Sequence, residues 1–265
     1  MDKKTLIIAN WKCNPLTRKE AEHLLKVING GIKLTKDIEV VICPPYIYLS
    51  GFNLKTLNFI LGAQDCHWEQ KGAFTGEVSP LMLKDLGCQY VIVGHSERRR
   101  YFGETDEIIN KKIKAALKAR LKPIFCLGEE TKDTFDSEGK QLNEMNLIVQ
   151  EQLEKAVAGI SSNRINDVII VYEPVWAISS NNGVSCSSDE AMQARLFIKK
   201  ILSKLYSRRL AEEIKILYGG SVTAKNSSDY IKKAGMNGLL VGGASLNASE
   251  FIRIVKGVYE ISPRF

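Results

Sequence analysis

Five short segments of this chain place side chains of catalytic type directly after an apolar run. Asn10-Trp11-Lys12 follows Leu6-Ile7-Ile8-Ala9, Gly94-His95-Ser96-Glu97 follows Tyr90-Val91-Ile92-Val93, and Tyr172-Glu173-Pro174 follows Val168-Ile169-Ile170-Val171. Gly219-Gly220-Ser221 and Gly242-Gly243-Ala244-Ser245 close two further runs. A carboxylate can take a proton, an imidazole can polarise a carbonyl, and an ammonium can offset negative charge as it develops. Double-glycine turns expose backbone N–H groups, and ahead of a helix N-terminus they bind phosphate. The chemistry these groups could do together is proton transfer on a small phosphorylated molecule. Each piece alone is weak. A His after a strand often serves structure, a lone Lys usually lies at the surface, and double glycines commonly only turn the chain. The conjunction at five run ends carries the reading.

Such groups need elements that bring the run ends together. Eight apolar runs recur, those named above and Val40-Val41-Ile42, Phe59-Ile60-Leu61, Pro123-Ile124-Phe125-Cys126-Leu127, Ile214-Lys215-Ile216-Leu217 and Leu239-Leu240-Val241 among them. Most are rich in β-branched residues and lack strict alternation, the pattern of parallel strands buried on both faces. Between them lie amphipathic stretches. Residues 18–28 carry Ala21, Leu24, Leu25 and Ile28 at helical spacing, 105–120 carry Ile108, Ile109, Ile113, Ala116 and Leu117, and 188–206 carry Met192, Leu196, Ile201 and Leu205. Thr105 and the acidic residues after it suit a helix start. Eight strand–helix units give either a doubly wound sheet or a closed (β/α)8 barrel. Eight equal units in about 250 residues favour the barrel, whose catalytic groups stand at the carboxyl ends of its strands. No composition break suggests a linker, so residues 1–265 are expected to form one catalytic domain.

Composition narrows the function classes. The 265 residues are 45% hydrophobic, enough for a large core, and the net charge is +7 (37 − 30). That excess favours anionic ligands in general. The bases are spread along the chain, and the run Arg98-Arg99-Arg100 is too short to argue for nucleic acid. The six cysteines include no CxxC pair, so a zinc or redox motif is not expected, and reduced thiols in a cytoplasmic protein are the better reading. Leu6–Ala9 is too short for a signal-peptide core, and nothing later is long enough to span a membrane.

The residues also resemble a known family from end to end. Ala9-Asn10-Trp11-Lys12, Gly72-Ala73-Phe74-Thr75-Gly76-Glu77, Val93-Gly94-His95-Ser96-Glu97-Arg98-Arg99, Tyr172-Glu173-Pro174-Val175-Trp176-Ala177-Ile178, Tyr218-Gly219-Gly220-Ser221 and Val241-Gly242-Gly243-Ala244-Ser245-Leu246 are similar, in order and spacing, to segments of the triosephosphate isomerases. The resemblance implies a cofactor-free, metal-free enzyme of glycolysis and gluconeogenesis that interconverts dihydroxyacetone phosphate and D-glyceraldehyde 3-phosphate through an enediolate. It implies Glu173 as the base, and His95 as the electrophile in its neutral form, a case the physical chemistry of this family already illustrates. By the same likeness Lys12, paired with Glu97, offsets charge on the enediolate and phosphate, and Asn10 donates to a substrate oxygen. The phosphate would lie on N–H groups near Ser179, Ser221, Gly242 and Gly243, with Ser96 supporting.

Two further expectations come with the likeness. Residues 174–184 would form a lid over the site, although Ser179-Ser180-Asn181-Asn182-Gly183 stands where the family commonly has Gly-Thr-Gly and then Lys. Residues 64–77, long for a βα loop, would carry Thr75 into a pocket of a second subunit beside Lys12, making a homodimer. Cys13 would lie at that interface. The Glu129-Glu130 stretch and the helix after it look ordinary. Two other readings stand beside this one: a different barrel enzyme handling a phosphorylated indole or sugar, and an inactive relative that only binds sugar phosphates. The block Tyr172-Glu173-Pro174-Val175-Trp176 argues against the first, and the joint presence of Asn10, Lys12, His95 and Glu173 against the second.

Overall fold

In the computed structural model, residues 4–32, 37–51, 57–132, 134–135, 141–142, 144–178 and 185–261 are described. Eight parallel strands close into a barrel. They are β1 (Thr5–Asn10), β2 (Ile38–Cys43), β3 (Ile60–Ala63), β4 (Tyr90–Val93), β5 (Lys122–Leu127), β8 (Ile169–Tyr172), β9 (Ile216–Tyr218) and β10 (Gly238–Val241), hydrogen-bonded in that order. Closure comes from β10 pairing back onto β1, with Ile7 beside Leu239 and Ala9 beside Val241. Each of the eight expected runs is a barrel strand, shifted by no more than two residues at either end.

The side-chain period of two sorts each strand into a lumen face and a helix face. Leu6 and Ile8 of β1, Val41 and Cys43 of β2, Ile124 and Cys126 of β5, Ile169 and Val171 of β8 and their partners fill the barrel interior. Ile7, Ala9, Ile42, Val91, Phe125 and Ile170 point outward and meet the helices. Both faces are dry, which is why these strands read as continuous apolar runs. Burying one such Ile or Leu contributes roughly 1.5–3 kcal/mol.

The helices are α1 (Arg18–Gly31), α2 (Tyr46–Leu49), α3 (Pro80–Asp85), α4 (Ser96–Phe102), α5 (Asp106–Lys118), α6 (Glu144–Val157), α7 (Ser188–Leu205), α8 (Arg208–Glu213), α9 (Ser227–Lys232) and α10 (Ala248–Ile261). The three predicted helices are α1, α5 and α7. Thr105 is the cap of α5 rather than its first residue, its side chain accepting from the N–H of Ile108. Thr17 with Glu20 and Ser187 with Glu190 form reciprocal capping boxes on α1 and α7, each cap contributing about 1 kcal/mol. On α1 the buried stripe is Ala21, Leu25 and Ile28.

The units are less equal than expected. Two helices, α4 and α5, lie between β4 and β5, and α7 and α8 both lie between β8 and β9. A two-stranded antiparallel ribbon, β6 (Thr134–Phe135) with β7 (Gln141–Leu142), precedes α6. No alternation of apolar residues announces strands of two residues. All six cysteines are free thiols. Among the described residues no helix is long and apolar enough to cross a membrane.

Candidate active site

A cleft of about 260 Å³ opens at the carboxyl ends of the strands, lined by Asn10, Lys12, His95, Glu173, Gly219, Gly220, Gly242 and Gly243 among others. All five predicted run ends therefore meet in one cavity, three through their side chains and two through their glycines.

Lys12 owes its position to an unusual backbone. Its φ is 54°, in the left-handed region, which costs a non-glycine residue roughly 1–2 kcal/mol. Three hydrogen bonds surround it. The Asn10 side chain accepts from the Lys12 N–H at 3.0 Å, the Gln64 amide donates to the Lys12 carbonyl at 2.8 Å, and the same amide reaches Cys43 O at 2.9 Å. The ammonium pairs with Glu97 at 2.6 Å, in keeping with the sequence expectation. It also passes Gly242: a Cβ at that glycine would stand 3.4 Å from Lys12 Cε. The root of the 64–77 segment thus supports Lys12 within the same chain. Thr75, farther along it, is exposed and does not line the cleft.

His95 is the N-cap of α4 and only 6% exposed. The Glu97 N–H donates to its Nδ1 at 3.2 Å. A nitrogen that accepts cannot carry the proton, so the ring's N–H is at Nε2. That N–H side faces Glu173 Oε1 at 3.3 Å.

Glu173 is 2% exposed. Its Oε2 accepts from the Ser96 N–H at 3.2 Å, while Oε1 has no hydrogen-bond partner among the described residues. The carboxylate sits this deep because two glycines make room. At Gly128 a Cβ would collide with the Glu173 carbonyl, and at Gly219 one would stand 2.8 Å from Glu173 Cγ. Beneath it, burial first and the Glu173 charge second push the Cys126 thiol well above its ordinary range, so Cys126 stays protonated.

Ser221 stands at the end of the 219–221 turn, where its N–H and hydroxyl both donate to Ala177 O, at 3.2 and 2.9 Å. Gly242 and Gly243 lead into a single 3-10 turn, Gly243–Leu246, that the Ser245 hydroxyl ties to Gly242 O at 2.7 Å. Ser179 and the remainder of the expected lid, 179–184, lie outside the described residues.

The expectation that the Glu129 stretch is ordinary is overturned. Glu129 is 2% exposed and its Oε1 accepts from Tyr172 Oη at 2.7 Å and from Trp176 Nε1 at 2.8 Å. Its carbonyl accepts from the Val175 N–H at 2.9 Å. Glu129 therefore fixes the chain on both sides of Glu173. The signal for it is present in the sequence, because Gly128-Glu129 also follows a strand, as the five singled-out segments do. Gln64 escapes for a different reason, since an amide that braces two carbonyls leaves no mark in the sequence around it. Among the described residues no group of three or more His, Cys, Asp or Glu side chains could hold a metal ion.

A closed eight-stranded α/β barrel, with a carboxylate facing an imidazole, a lysine and two glycine turns at one mouth, defines an enzyme of the TIM-barrel class. The particular family follows from comparison. The family model described as Triosephosphate isomerase matches residues 5–258. Triosephosphate isomerases of Alkaliphilus oremlandii (42% identical over 255 residues), Endomicrobium trichonymphae (43% over 256) and Carboxydothermus hydrogenoformans (43% over 257) are similar to it, each covering 96% of this chain and 98–99% of the relative. The chain belongs to the triosephosphate isomerase family. It is an aldose–ketose isomerase, and its reaction is the reversible interconversion of dihydroxyacetone phosphate and D-glyceraldehyde 3-phosphate, a step of glycolysis.

Proposed function

We propose that Glu173, His95, Lys12 and Asn10 carry the proton transfer between these triose phosphates. Glu173 takes the proton from the carbon beside the carbonyl and returns it to the neighbouring carbon. His95 Nε2–H polarises the carbonyl oxygen, gives that oxygen its proton as the enediolate forms, and takes one back from the neighbouring hydroxyl oxygen, so the ring ends as it began. Lys12 offsets the negative charge that spreads over the enediolate and phosphate, and Asn10 donates to a substrate oxygen. Ser96 holds one oxygen of Glu173 until substrate arrives, and Glu97 fixes both Lys12 and the His95 tautomer. The phosphate lies on the backbone N–H groups at Gly242 and Gly243 and at Ser221, whose N–H leaves Ala177 O to reach it, with Ser179 completing the cradle.

The observation that carries this reading is the facing pair at the cleft floor: Glu173 Oε1, without a hydrogen-bond partner among the described residues, 3.3 Å from the N–H nitrogen of His95. A base and an acid at that spacing can bracket two adjacent carbons. The test is a coupled assay with D-glyceraldehyde 3-phosphate on the wild-type chain and on His95→Gln and Asn10→Ala. Loss of about 10²-fold or more in kcat for His95→Gln is expected. A His95→Gln enzyme at more than half of wild-type turnover would remove His95 from the electrophile's role.

The chain is further read as one catalytic domain over residues 1–265, working as a cytoplasmic homodimer with neither nucleic acid nor membrane as partner. What favours the dimer is the exposure of large apolar side chains at Leu16, Ile47, Phe74, Tyr101 and Phe102, which a second subunit would cover. Specific activity should fall on dilution as sedimentation shows dissociation, and a fully active monomer would end the dimer reading.

A further inference from the structure

No motif in the sequence singles out Tyr230, a residue of the six-residue helix α9. Its surroundings do. Tyr230 is buried, and its hydroxyl donates to the Cys186 carbonyl at 2.6 Å, a bond sealed from water. Cys186 stands immediately before Ser187, the cap of α7. The face of the Tyr230 ring stacks on Tyr218, with centroids 3.8 Å apart and planes at 18°. Tyr218 closes β9 and leads directly into Gly219, Gly220 and Ser221.

The Tyr218 side chain is wholly buried, with its hydroxyl against the Tyr230 hydroxyl and the Cys186 thiol. Burial pushes both phenols above their ordinary range, so both rings stay neutral. The Tyr218 hydroxyl presses on the 219–221 turn: a Cβ at Gly220 would collide with it. What sets the Tyr218 ring is therefore its stack on Tyr230 together with the contacts of its hydroxyl, and what sets Tyr230 is the bond to the Cys186 carbonyl. Position passes from the start of α7, through Tyr230 and Tyr218, to the turn at the rim of the cleft.

We propose that Tyr230 is a positioning residue for phosphate binding, fixing the 219–221 turn through Tyr218 and the backbone at Cys186 through its hydroxyl. This rests on the reading of the 219–221 and 242–243 turns as the phosphate cradle. Tyr230 touches no substrate, so its effect falls on binding rather than on the proton transfer.

The experiment uses three variants, the triose phosphate assay, and inorganic phosphate as a competitive inhibitor. Tyr230→Phe keeps the stack and removes the bond to Cys186; Tyr230→Leu removes both. For Tyr230→Phe, KM and the phosphate Ki should rise together by about fivefold, the worth of one hydrogen bond. Tyr230→Leu should raise both by about tenfold or more, with kcat within about twofold in each. Gly243→Ala tests the cradle itself, because a methyl there meets no protein atom within 4 Å and enters the cleft that Gly243 lines. An unchanged phosphate Ki in Gly243→Ala sinks the cradle reading, and the Tyr230 proposal with it. A raised Ki in Gly243→Ala beside unchanged KM and Ki in Tyr230→Phe sinks the Tyr230 proposal alone. So does a fall in kcat at constant KM, or a lower melting temperature with kinetics untouched. Tyr230→Phe is nearly isosteric, so it decides the matter even if the leucine variant fails to fold.

Discussion

Glu173 and Asp65 each follow the carboxyl end of a barrel strand, and each is withdrawn from water, at 2% and 4% exposure. Their surroundings are opposite. Asp65 takes both oxygens to Lys112, at 2.8 and 2.7 Å, and Arg98 approaches it at 2.8 Å. Glu104 joins the same two cations. Glu173 has a backbone donor on one oxygen, an imidazole facing the other and the neutral Cys126 thiol against it, and no cation pairs with it among the described residues. Desolvation is common to both carboxylates; cations are supplied to one of them only. A carboxylate locked by two cations can do nothing but hold structure, whereas one with a free oxygen can accept a proton. The comparison locates chemistry where charge is left unanswered, not where charge is buried.

The largest effect should come from removing the unanswered oxygen. Glu173→Gln keeps the shape and loses the basic lone pair, so turnover should fall by on the order of 10²–10⁴, or more when no second base exists. Its melting curve should match wild type. Turnover above half of wild type would erase the contrast with Asp65.

Breaking the locked site should cost stability instead. Lys112→Met leaves two buried carboxylates with one arginine between them, and destabilisation of about 3–5 kcal/mol is expected from denaturant unfolding. Little change there would mean that the cluster is an ornament of packing.

The locked site should also show itself in pH. Burial raises Asp65 from 3.8 to about 6 against the opposing pull of Lys112. Folded Asp65 thus holds its proton more tightly than unfolded Asp65. Its contribution to stability is fully present below about pH 3.8 and declines as pH rises through about 6. Glu104 runs the other way: burial pulls it up, but the hydrogen bond from Lys112 and the charges around it outweigh this and lower it, so its contribution is lost as pH falls. The difference in unfolding free energy between wild type and Asp65→Asn should therefore shrink, or turn against wild type, between about pH 4 and about pH 6.5. A difference that grows with pH over that range would mean Asp65 is not the proton holder.

The smallest effect tests a carboxylate between the two extremes. Glu129 is buried, and its Oε1 accepts from two neutral donors. Glu129→Gln keeps an acceptor but weakens both charge-assisted bonds, for about 1 kcal/mol, read as a rise in KM of a few-fold. A larger loss, of the size expected at Glu173, would place Glu129 in the chemistry.

Much of this is legible in the sequence. Strands buried on both faces cannot alternate, so their runs stand out, and groups placed after them converge because a closed barrel gathers all its carboxyl ends at one mouth. Lys12, His95 and Glu173 are readable on that rule alone. What escapes is support that depends on partners far apart in the chain. Asp65, Arg98, Glu104 and Lys112 are four ordinary charges until folding removes their water. Tyr230 is a plain apolar position until its ring meets Tyr218. The ribbon β6–β7 is too short to impose a period on its residues.

The filled interior has a consequence for isotopes. Leu6, Ile8, Ile92, Ile124, Val171 and Leu217 occupy the lumen with at most 1% exposure, so the described residues close the barrel below the site. With Glu173 as the proposed base, a hydron lifted from the substrate trades places with solvent at the mouth of the barrel. How much solvent tritium ends up in product is then decided at the lip and not at the floor. Substitution at the far end, such as Tyr90→Phe, should leave that fraction unchanged, while Gly243→Ala should alter it. Tritium incorporation that responds to Tyr90→Phe would reveal a second passage through the lumen.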